Sequence, residues 1–337
     1  MRDMGCWLFA FFVAGGMGTV TSASAAVCNG KTDALGVGRA IAVDPKEHTR
    51  VGTMQYPETL PLADHEVVIS FDDGPSPRYT DRILDILSAE CVKAVFFMVG
   101  AMTKTFPADA RRVYAEGHTI GTHSFHHPFT FGKMSEEQAG AEIDLGIDAV
   151  ATALGDPTKV APFFRVPGFL TSKSTEAALA SRGLMTWSAD FPADDWKGIG
   201  SSEIAKRAIS RLEAKGRGVL VLHDIHQQTV QALPIILNQL KLGGYKIVQI
   251  VPANETVAKT ETTPEQWKLS HEHNPATEQG AAKHALSSAE KHRSDASKVK
   301  TMANAEHPST VKQATAKPQK TMVDNLSRMQ AHHRHRS

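Results

Sequence analysis

The sequence predicts an α/β domain with a parallel sheet. Between residues 66 and 250, seven short apolar segments alternate with six longer segments that repeat apolar residues at helical spacing. Some helical segments carry boundary signals, such as Ser135 followed by Gln138 at a start and two glycines after residue 242 at an end. Alternating strands and helices are typical of a parallel sheet with crossover helices. Seven strands in this order fit either a barrel or an open doubly wound sheet, and the pattern leaves both open.

The spacing of the apolar residues places each element. The strands are expected at residues 66–71, 94–99, 118–122, 163–166, 185–189, 219–222 and 245–250. The helices are expected at residues 79–89, 108–116, 135–154, 172–181, 201–215 and 230–242. Because parallel strands end at the same edge of a sheet, polar residues that follow several of these strands are candidates for one site.

The first residues predict export. Arg2 supplies a positive start, residues 7–20 are apolar and rich in glycine and alanine, and residues 22–26 are small. This order is typical of a cleaved signal peptide, here residues 1–26. A transmembrane anchor is the alternative, although the apolar run is short for a span and contains glycine. We therefore expect a periplasmic or secreted protein with no stable membrane insertion after cleavage.

Two of the three cysteines remain after cleavage, since Cys6 is removed with the signal peptide. Cys28 and Cys91 are an even pair in an oxidising compartment. They predict a disulfide bond that ties an N-terminal arm, residues 27–64, to the domain at residues 65–252. The alternative is two unpaired thiols, with Cys91 buried beside the strand that follows it.

The last segment, residues 253–337, differs in composition from the rest. It contains one aromatic residue, Trp267, and eight of the 16 histidines. A segment with so little apolar surface does not offset the entropy of ordering it, so we expect a disordered His- and Lys-rich tail. A solvated tail is the simpler interpretation, and loose metal binding or adhesion to an anionic wall polymer is the alternative. The formal net charge of +1 gives no indication of nucleic-acid binding.

Two adjacent carboxylates follow the first predicted strand of the domain. Asp72 and Asp73 stand between an apolar segment and Gly74-Pro75. Sites in parallel α/β folds assemble at this end of the strands, where one carboxylate can bind a metal while the other accepts a proton. Asp-Gly is also a common turn signal, so the pair taken alone is equally consistent with a turn.

Three histidines follow the third predicted strand, at positions 123, 126 and 127. Two imidazoles three or four residues apart bind one metal if the loop forms a helical turn. We expect His123 and His127 to be that pair, with His126 pointing away. One carboxylate and two imidazoles leave coordination positions open for water, as a catalytic site requires.

Two further strand ends carry reactive side chains. Arg165 does not lose its charge, so it is suited to hold a carboxylate such as Asp72 ionised and oriented, although a surface arginine is the alternative. His223 ends an apolar strand, where a nearby carboxylate would keep it a protonated acid. Residues 194–196, Asp-Asp-Trp, supply candidate carboxylates and an aromatic wall for a sugar ring, with an ordinary loop as the alternative.

These four elements in this order resemble the polysaccharide deacetylase family, which is carbohydrate esterase family 4 with the NodB (chitooligosaccharide deacetylase) homology domain. The resemblance covers about residues 60–252, and its specific parts are residues 71–75 and 123–128. It implies a distorted (β/α) barrel of about seven parallel strands with outer helices. It also implies a divalent metal ion, expected to be Zn²⁺ with Co²⁺ as the alternative.

The resemblance implies a role for each matching residue. The metal ligands are Asp73, His123 and His127. The catalytic residues are a base, Asp72, with Arg165 to orient it, and an acid, His223, with Asp195 to tune it. The residues that line the substrate site are Pro167, Gly168, Trp196 and Leu222. A backbone N–H near Gly168 would help to stabilise the oxyanion.

Three departures from the family pattern bear on the substrate site. The family usually has an aromatic residue after Arg-x-Pro, whereas here Gly168 precedes Phe169. The family's Asp-x-x-Asp-Trp motif is stretched here, so Asp195 is a choice between two adjacent aspartates. Two residues before His223 the family often has leucine, and here Val221 stands there, in a pocket expected to receive the acetyl methyl group.

The residues and the resemblance predict metal-dependent hydrolysis of acetamide groups on an N-acetylglucosamine-type polysaccharide, which is chitooligosaccharide, peptidoglycan or poly-N-acetylglucosamine. The acetylated polymer is the expected partner, with no nucleic acid, and the protein is expected to be a monomer. An O-acetyl polysaccharide esterase of the xylan type would use the same residues. A non-catalytic carbohydrate-binding protein would not need both Asp72 and His223, and metal scavenging by the tail is a further alternative.

Overall fold

The domain lies within residues 31–269, the part of the chain that the computed structural model describes. Its strands are β1 Val37–Val43, β2 Arg50–Val51, β3 Glu66–Asp72, β4 Val95–Met98, β5 Thr119–Thr122, β6 Phe163–Phe164, β7 Met185–Trp187, β8 Phe191–Pro192, β9 Gly218–His223 and β10 Lys246–Pro252. Its α-helices are α1 Thr80–Ala89, α2 Gly100–Thr105, α3 Pro107–Ala115, α4 Glu136–Leu154, α5 Lys173–Ala180, α6 Ser201–Lys215 and α7 Gln227–Leu242. All predicted strands and helices are present, with ends shifted by at most three residues.

Strands β3 to β9 form a distorted barrel whose pairings are parallel. β3 pairs with β4 on one side and with β9 on the other, and β5, β6 and β7 follow β4 in order. β8 pairs with β9, while residues 188–190 join β7 to β8 where the barrel is open. The predicted α/β fold with a parallel sheet is confirmed, and the barrel replaces the open doubly wound alternative.

Side chains alternate between the two faces of each strand and so build two cores. Along β3, Val67 and Phe71 share a core with residues of α1, α6 and α7. Val68, between them, shares a second core with Phe97 and Trp187 inside the barrel. Fully burying a side chain such as Phe97 contributes roughly 1.5–3 kcal/mol. The barrel is filled by these side chains, which leaves its end as the place for a site.

The strand register brings the predicted site residues to one edge of the barrel. Asp72 lies opposite His223 in the ladder between β3 and β9. His123 follows β5 directly, and Arg165 follows β6 directly. The carboxyl ends of parallel strands lie at the same edge, so the four predicted motifs meet there.

The N-terminal segment contributes strands to the sheet, which corrects the expectation of an arm at residues 27–64 that only lies on the domain. β1 pairs in parallel with β10, and β2 pairs with β7. β2 and β8 have two residues each, and Gly38 and Arg39 interrupt the apolar pattern of β1. Such short or interrupted segments carry too little periodicity to predict a strand.

Residues 253–269 pack on the domain, which corrects the start of the predicted tail. The Thr260 N–H donates to a carbonyl at the end of β1, and the Thr260 hydroxyl accepts from the N–H of the same β1 residue. Trp267 is 3% exposed and stacks on the His48 ring with 3.4 Å between centroids. One large aromatic side chain supplies apolar burial that the average composition of the segment hides.

Several predictions about the chain ends lie outside the described residues. These are the signal peptide at residues 1–26 and the tail beyond residue 269. Cys91 is disulfide-bonded, and Cys28, its predicted partner, also lies outside the described residues. Within residues 31–269, no helix combines the length and the apolar character needed to cross a membrane.

Candidate metal and catalytic site

Three side chains at the barrel edge, Asp73, His123 and His127, could hold a metal ion. The Asp73 Oδ1 atom lies 3.5 Å from His123 Nε2 and 3.2 Å from His127 Nε2. The ligand atoms of the three residues all lie within 4.8 Å of one another. This oxygen is buried and accepts no hydrogen bond from any residue in the described range 31–269, which is costly for a carboxylate unless a cation lies beside it. The donor set therefore fits a divalent transition-metal ion.

The backbone fixes the orientation of His123. Its Nδ1 atom lies 2.6 Å from the carbonyl oxygen of Arg165. A carbonyl only accepts, so Nδ1 carries the proton and Nε2 presents its lone pair towards Asp73. Metal-binding histidines are commonly oriented in this way by an acceptor behind the ring.

The protonation states of the ligands suit metal binding. Burial would raise the pKa of Asp73, but His127 and His123 outweigh burial and hold the pKa well below its usual range. Burial lowers the pKa of His127, against the opposing effect of Asp73. A carboxylate and a neutral imidazole are the forms that bind a metal.

The loops that carry two of the ligands are strained. Asp73 has φ +79° and His127 has φ +54°, both in the left-handed region. Such conformations in residues other than glycine cost roughly 1–3 kcal/mol each and are concentrated at functional sites. The His127 N–H donates to the Ser124 hydroxyl, which stabilises the turn. His126 points away, as predicted: its side chain is exposed, and its Nδ1 atom lies 2.6 Å from Glu142.

Arg165 holds the second carboxylate, Asp72. Its Nη1 atom donates to Asp72 Oδ1 at 2.6 Å and to the Ser70 hydroxyl at 2.9 Å, and Nη2 donates to the Ser188 carbonyl. The guanidinium also lies 4.2 Å from the centroid of the Phe97 ring. Burial lowers the pKa of Arg165, yet arginine keeps its charge even when it is fully buried. The predicted pairing of Arg165 with Asp72 is present.

His223 forms the third arrangement at this edge, with Asp195. The His223 Nδ1 atom donates to Asp195 Oδ1 at 2.8 Å. The other carboxylate oxygen accepts from the His223 backbone N–H at 2.7 Å and from the Thr229 hydroxyl at 2.6 Å. Burial would lower the pKa of His223, but Asp195 outweighs burial and raises the pKa to about 10. This pKa favours the protonated, acidic form of His223 at neutral pH.

The geometry agrees with comparisons to known proteins. The family model described as polysaccharide deacetylase matches residues 60–187. A peptidoglycan-N-acetylglucosamine deacetylase of Bacillus cereus is 31% identical over 196 residues, which are 57% of this chain and 89% of that protein. The chain belongs to the polysaccharide deacetylase family.

Two further similar proteins support this assignment. A second peptidoglycan-N-acetylglucosamine deacetylase of Bacillus cereus is 32% identical over 187 residues, which are 53% of this chain and 66% of that protein. The solved structure of a peptidoglycan deacetylase of Bdellovibrio bacteriovorus superposes with a TM-score of 0.56 at 31% identity, covering 64% of this chain and 59% of that one. The chain thus spans less than two thirds of some of its relatives.

Of the four predicted substrate-site residues, three lie in loops that follow strands, and Leu222 lies in the core. Trp196 is partly exposed, and its ring lies 5.3 Å from the His223 ring, edge on. Pro167 and Gly168 follow β6 in a short 3-10 turn, and Gly168 has φ +58°. Leu222 is a correction, because it lies in the core between the barrel and the helices. Side chains alternate along β9, so His223 and its neighbour face opposite sides.

Some residues of the site have weak signals or none in the sequence. Ser70 is the one polar residue within the apolar run 67–71 of β3, and its hydroxyl contacts Arg165. A polar residue in such a strand suggests a buried polar partner. Ser188 contributes only its backbone carbonyl, which accepts from Arg165, and Thr229 of α7 donates its hydroxyl to Asp195. Neither has a pattern that identifies it.

Proposed function

We propose that the protein hydrolyses acetamide groups on an N-acetylglucosamine-type polysaccharide and releases acetate. One observation carries the proposal. A candidate general base, Asp72 held by Arg165, and a candidate general acid, His223 held by Asp195, lie at the same barrel edge as the candidate metal ligands. Amide hydrolysis needs a group that accepts a proton and a group that donates one. The names of the relatives favour peptidoglycan among the candidate polymers, which also include chitooligosaccharide and poly-N-acetylglucosamine.

Asp73, His123 and His127 would hold a divalent ion, Zn²⁺ or alternatively Co²⁺. A bound ion would act as a Lewis acid towards the acetamide carbonyl and towards water. Three protein ligands leave coordination positions for both.

Asp72 is the proposed base. It removes a proton from the water that attacks the acetyl carbonyl, while Arg165 fixes one of its oxygens. The other oxygen lies 4.0 Å from His123 Nε2 and so stays beside the metal ligands. A carbon–oxygen bond forms in this step, and a backbone N–H near Gly168 would stabilise the charge that develops on the carbonyl oxygen.

His223 is the proposed acid. Its Nδ1 atom is held by Asp195, so Nε2 is the atom that gives its proton to the departing nitrogen. The carbon–nitrogen bond then breaks, leaving acetate and the free amine of the sugar. Trp196 and Pro167 would form walls of the sugar site.

We propose that the protein acts as a monomer in the periplasm or outside the cell, because the sequence of residues 1–26 predicts a signal peptide. The site is complete within one chain, since its ligands, base and acid all lie in the described residues.

The test is acetate release from peptidoglycan, chitooligosaccharide, poly-N-acetylglucosamine and O-acetylated xylan, with and without a chelator. Release from an N-acetylated polymer that stops with chelator and returns with Zn²⁺ or Co²⁺ is expected. Release from xylan alone would assign the O-acetyl esterase activity instead. Glycan binding without acetate release from any polymer would assign a binding protein.

A further inference from the structure

Asp224, the residue after His223, is a buried carboxylate that joins two strand ends of the site. Its Oδ1 atom accepts from the Gly74 N–H at 2.9 Å, and its Oδ2 atom accepts from the Thr80 hydroxyl at 2.6 Å. Gly74 follows the proposed ligand Asp73, and Thr80 begins α1. One side chain at the end of β9 therefore binds both ends of the loop that follows β3.

Further hydrogen bonds hold the same loop. The Thr80 hydroxyl accepts from the Ser76 N–H at 2.7 Å, so Asp224 reaches a third point of the loop through it. The Gly74 carbonyl accepts from the Val99 N–H at 3.0 Å. A Cβ atom at Gly74 would overlap the Asp224 carboxylate, so the close contact requires glycine. The loop is fixed by β4 on one side and by Asp224 on the other.

The partners of this buried carboxylate are neutral hydrogen-bond donors. Asp224 is 1% exposed, and in the described part of the chain no lysine or arginine forms an ion pair with it. Burial raises the pKa of Asp224 to about 7, against the hydrogen bonds from Thr80 and Gly74. A buried carboxylate paired only by neutral donors recovers part of its desolvation energy. A geometric role explains its presence at a strand end beside the site.

We propose that Asp224 is a positioning residue that fixes the Asp72–Asp73 segment of β3 relative to His223 on β9. The main chain makes the same connection, because the Asp224 N–H donates to the Asp72 carbonyl at 3.2 Å. Without the carboxylate, the loop that starts at Gly74 loses its anchor, and Asp73 moves relative to the two histidines. The inference concerning rate rests on the proposed function, whereas the inference concerning metal affinity rests on the ligand geometry alone.

The test compares Asp224→Ala with Asp224→Asn in the full chain. The amide of asparagine keeps an acceptor for the Gly74 N–H and can donate to the Thr80 oxygen, so it keeps the contacts without the charge. Zn²⁺ affinity is measured by competition with a chromophoric chelator on metal-free protein, and kcat and KM are measured by acetate release. Asp224→Ala should weaken Zn²⁺ binding and lower kcat by about 10–100-fold, with KM little changed. Asp224→Asn should restore both towards wild type.

Glu66→Ala is the matched control for the loss of a buried carboxylate. Glu66 lies at the opposite end of β3 and accepts from Arg39, far along the strand from the site. The Glu66→Ala variant should have a lower thermal stability and an unchanged Zn²⁺ affinity. If Asp224→Ala does not fold, Thr80→Val and Thr80→Ser replace it, because valine removes the hydroxyl of the network and serine keeps it. The valine variant should weaken Zn²⁺ binding, and the serine variant should not.

Two results would overturn the inference. One is an Asp224→Ala protein that loses stability as Glu66→Ala does but keeps wild-type Zn²⁺ affinity and kcat. The other is an Asp224→Asn protein as impaired as Asp224→Ala, which would assign the effect to charge. A wild-type protein that releases no acetate would refute the proposed function, while a Zn²⁺ affinity that falls in Asp224→Ala and returns in Asp224→Asn would still support the positioning role.

Discussion

The Asp195 carboxylate holds His223 at two points: one oxygen accepts from the ring Nδ1 at 2.8 Å, and the other accepts from the backbone N–H at 2.7 Å. The ring therefore has one orientation and one protonation pattern, with Nε2 directed away from the carboxylate. Fixing the acid in this way lowers the entropy that is lost when a substrate is aligned with it. The pair also sets the charge of the histidine, because Asp195 outweighs burial.

Asp195→Asn should move the high-pH limb of the rate profile to lower pH. The pKa of His223 is raised to about 10, so the acid form is present below that pH and is lost as the pH rises through it. Without the negative charge, burial dominates and the pKa falls, so less acid is present at neutral pH. Because general acid catalysis typically contributes about 10²–10⁴-fold, kcat at neutral pH should fall within that range. The measurement is kcat/KM across pH.

Asp194→Asn is the control for this profile. Asp194 bonds Arg207 and Arg211 and does not contact His223 in the described structure. Its profile should keep the wild-type limb, although the turn it stabilises loses ion pairs. An unchanged high-pH limb in Asp195→Asn would contradict the assignment of His223 as the acid.

Substitution of each of the two adjacent carboxylates should distinguish the proposed base, Asp72, from the proposed metal ligand, Asp73. Asp72→Asn removes the base but leaves the ligand set, so Zn²⁺ affinity should stay near wild type while kcat falls about 10²–10⁴-fold. Asp73→Asn removes a ligand whose oxygen lies 3.2 Å from His127, so Zn²⁺ affinity should fall first. Metal content after dialysis and acetate release are measured together. Equal loss of metal in both variants would show that the roles are not divided in this way.

His127→Ala and His126→Ala test which imidazole binds metal. The side chain of His127 is 9% exposed and lies beside Asp73, whereas the side chain of His126 is 61% exposed and bonded to Glu142. Removing His127 should abolish tight Zn²⁺ binding and chelator-sensitive activity. Removing His126 should leave most of the Zn²⁺ binding and most of the chelator-sensitive activity. A stronger effect in the His126 variant would reverse the ligand choice.

The elements that the sequence predicts are those with long apolar patterns. β3 and β9 are buried along almost their whole length, and α4 has a full capping box at Ser135. β8 pairs through two residues, one of them Pro192, and its existence depends on the partner strand. A pairing that is fixed by tertiary contacts leaves no local pattern in the chain.

In the candidate site too, residues at the ends of apolar strands could be predicted from the sequence, whereas residues fixed by loop conformation could not. Asp72 and His223 stand at the ends of apolar strands, so their position could be predicted before any contact was known. The choice of Asp195 depends on a loop conformation, and Asp194 next to it turns to Arg207 instead. The family resemblance implies Leu222 in the substrate site, but alternation along β9 places this side chain in the core, on the face opposite His223.

Arg165→Met should destabilise the fold strongly. Arg165 and Asp72 are both buried, and removing one partner leaves an uncompensated charge at a typical cost of about 3–5 kcal/mol. The double variant Asp72→Asn with Arg165→Met removes both charges and should recover part of that loss. The free energy of unfolding is measured with urea.

Arg50→Met is the control for the removal of an arginine. Arg50 is half exposed and pairs with Glu176, and such pairs contribute about 0–1 kcal/mol. If Arg165→Met unfolds at the same urea concentration as Arg50→Met, the buried pair does not carry the stability assigned to it.

Trp267 should anchor the last described segment to the domain. A chain that ends after residue 257 loses Trp267 and its stacking on His48, whereas a chain that ends after residue 269 keeps them. Replacing a buried tryptophan with alanine typically costs about 3–5 kcal/mol, so the shorter chain and Trp267→Ala should both have a lower Tm than the longer chain. Thermal unfolding measures this difference, and acetate release at a temperature below both transitions should be similar for the two truncated chains.

Trp196→Ala separates the effect of burial from the loss of a tryptophan. Trp196 is 37% exposed and lies beside His223, so its removal should change acetate release more than it changes Tm. Trp267→Ala should show the opposite pattern, because Trp267 is 3% exposed and the Thr59 N–H donates to its carbonyl. Equal Tm values for the chains ending after residues 257 and 269 would show that this contact adds no stability, and the boundary of the domain would return to residue 252.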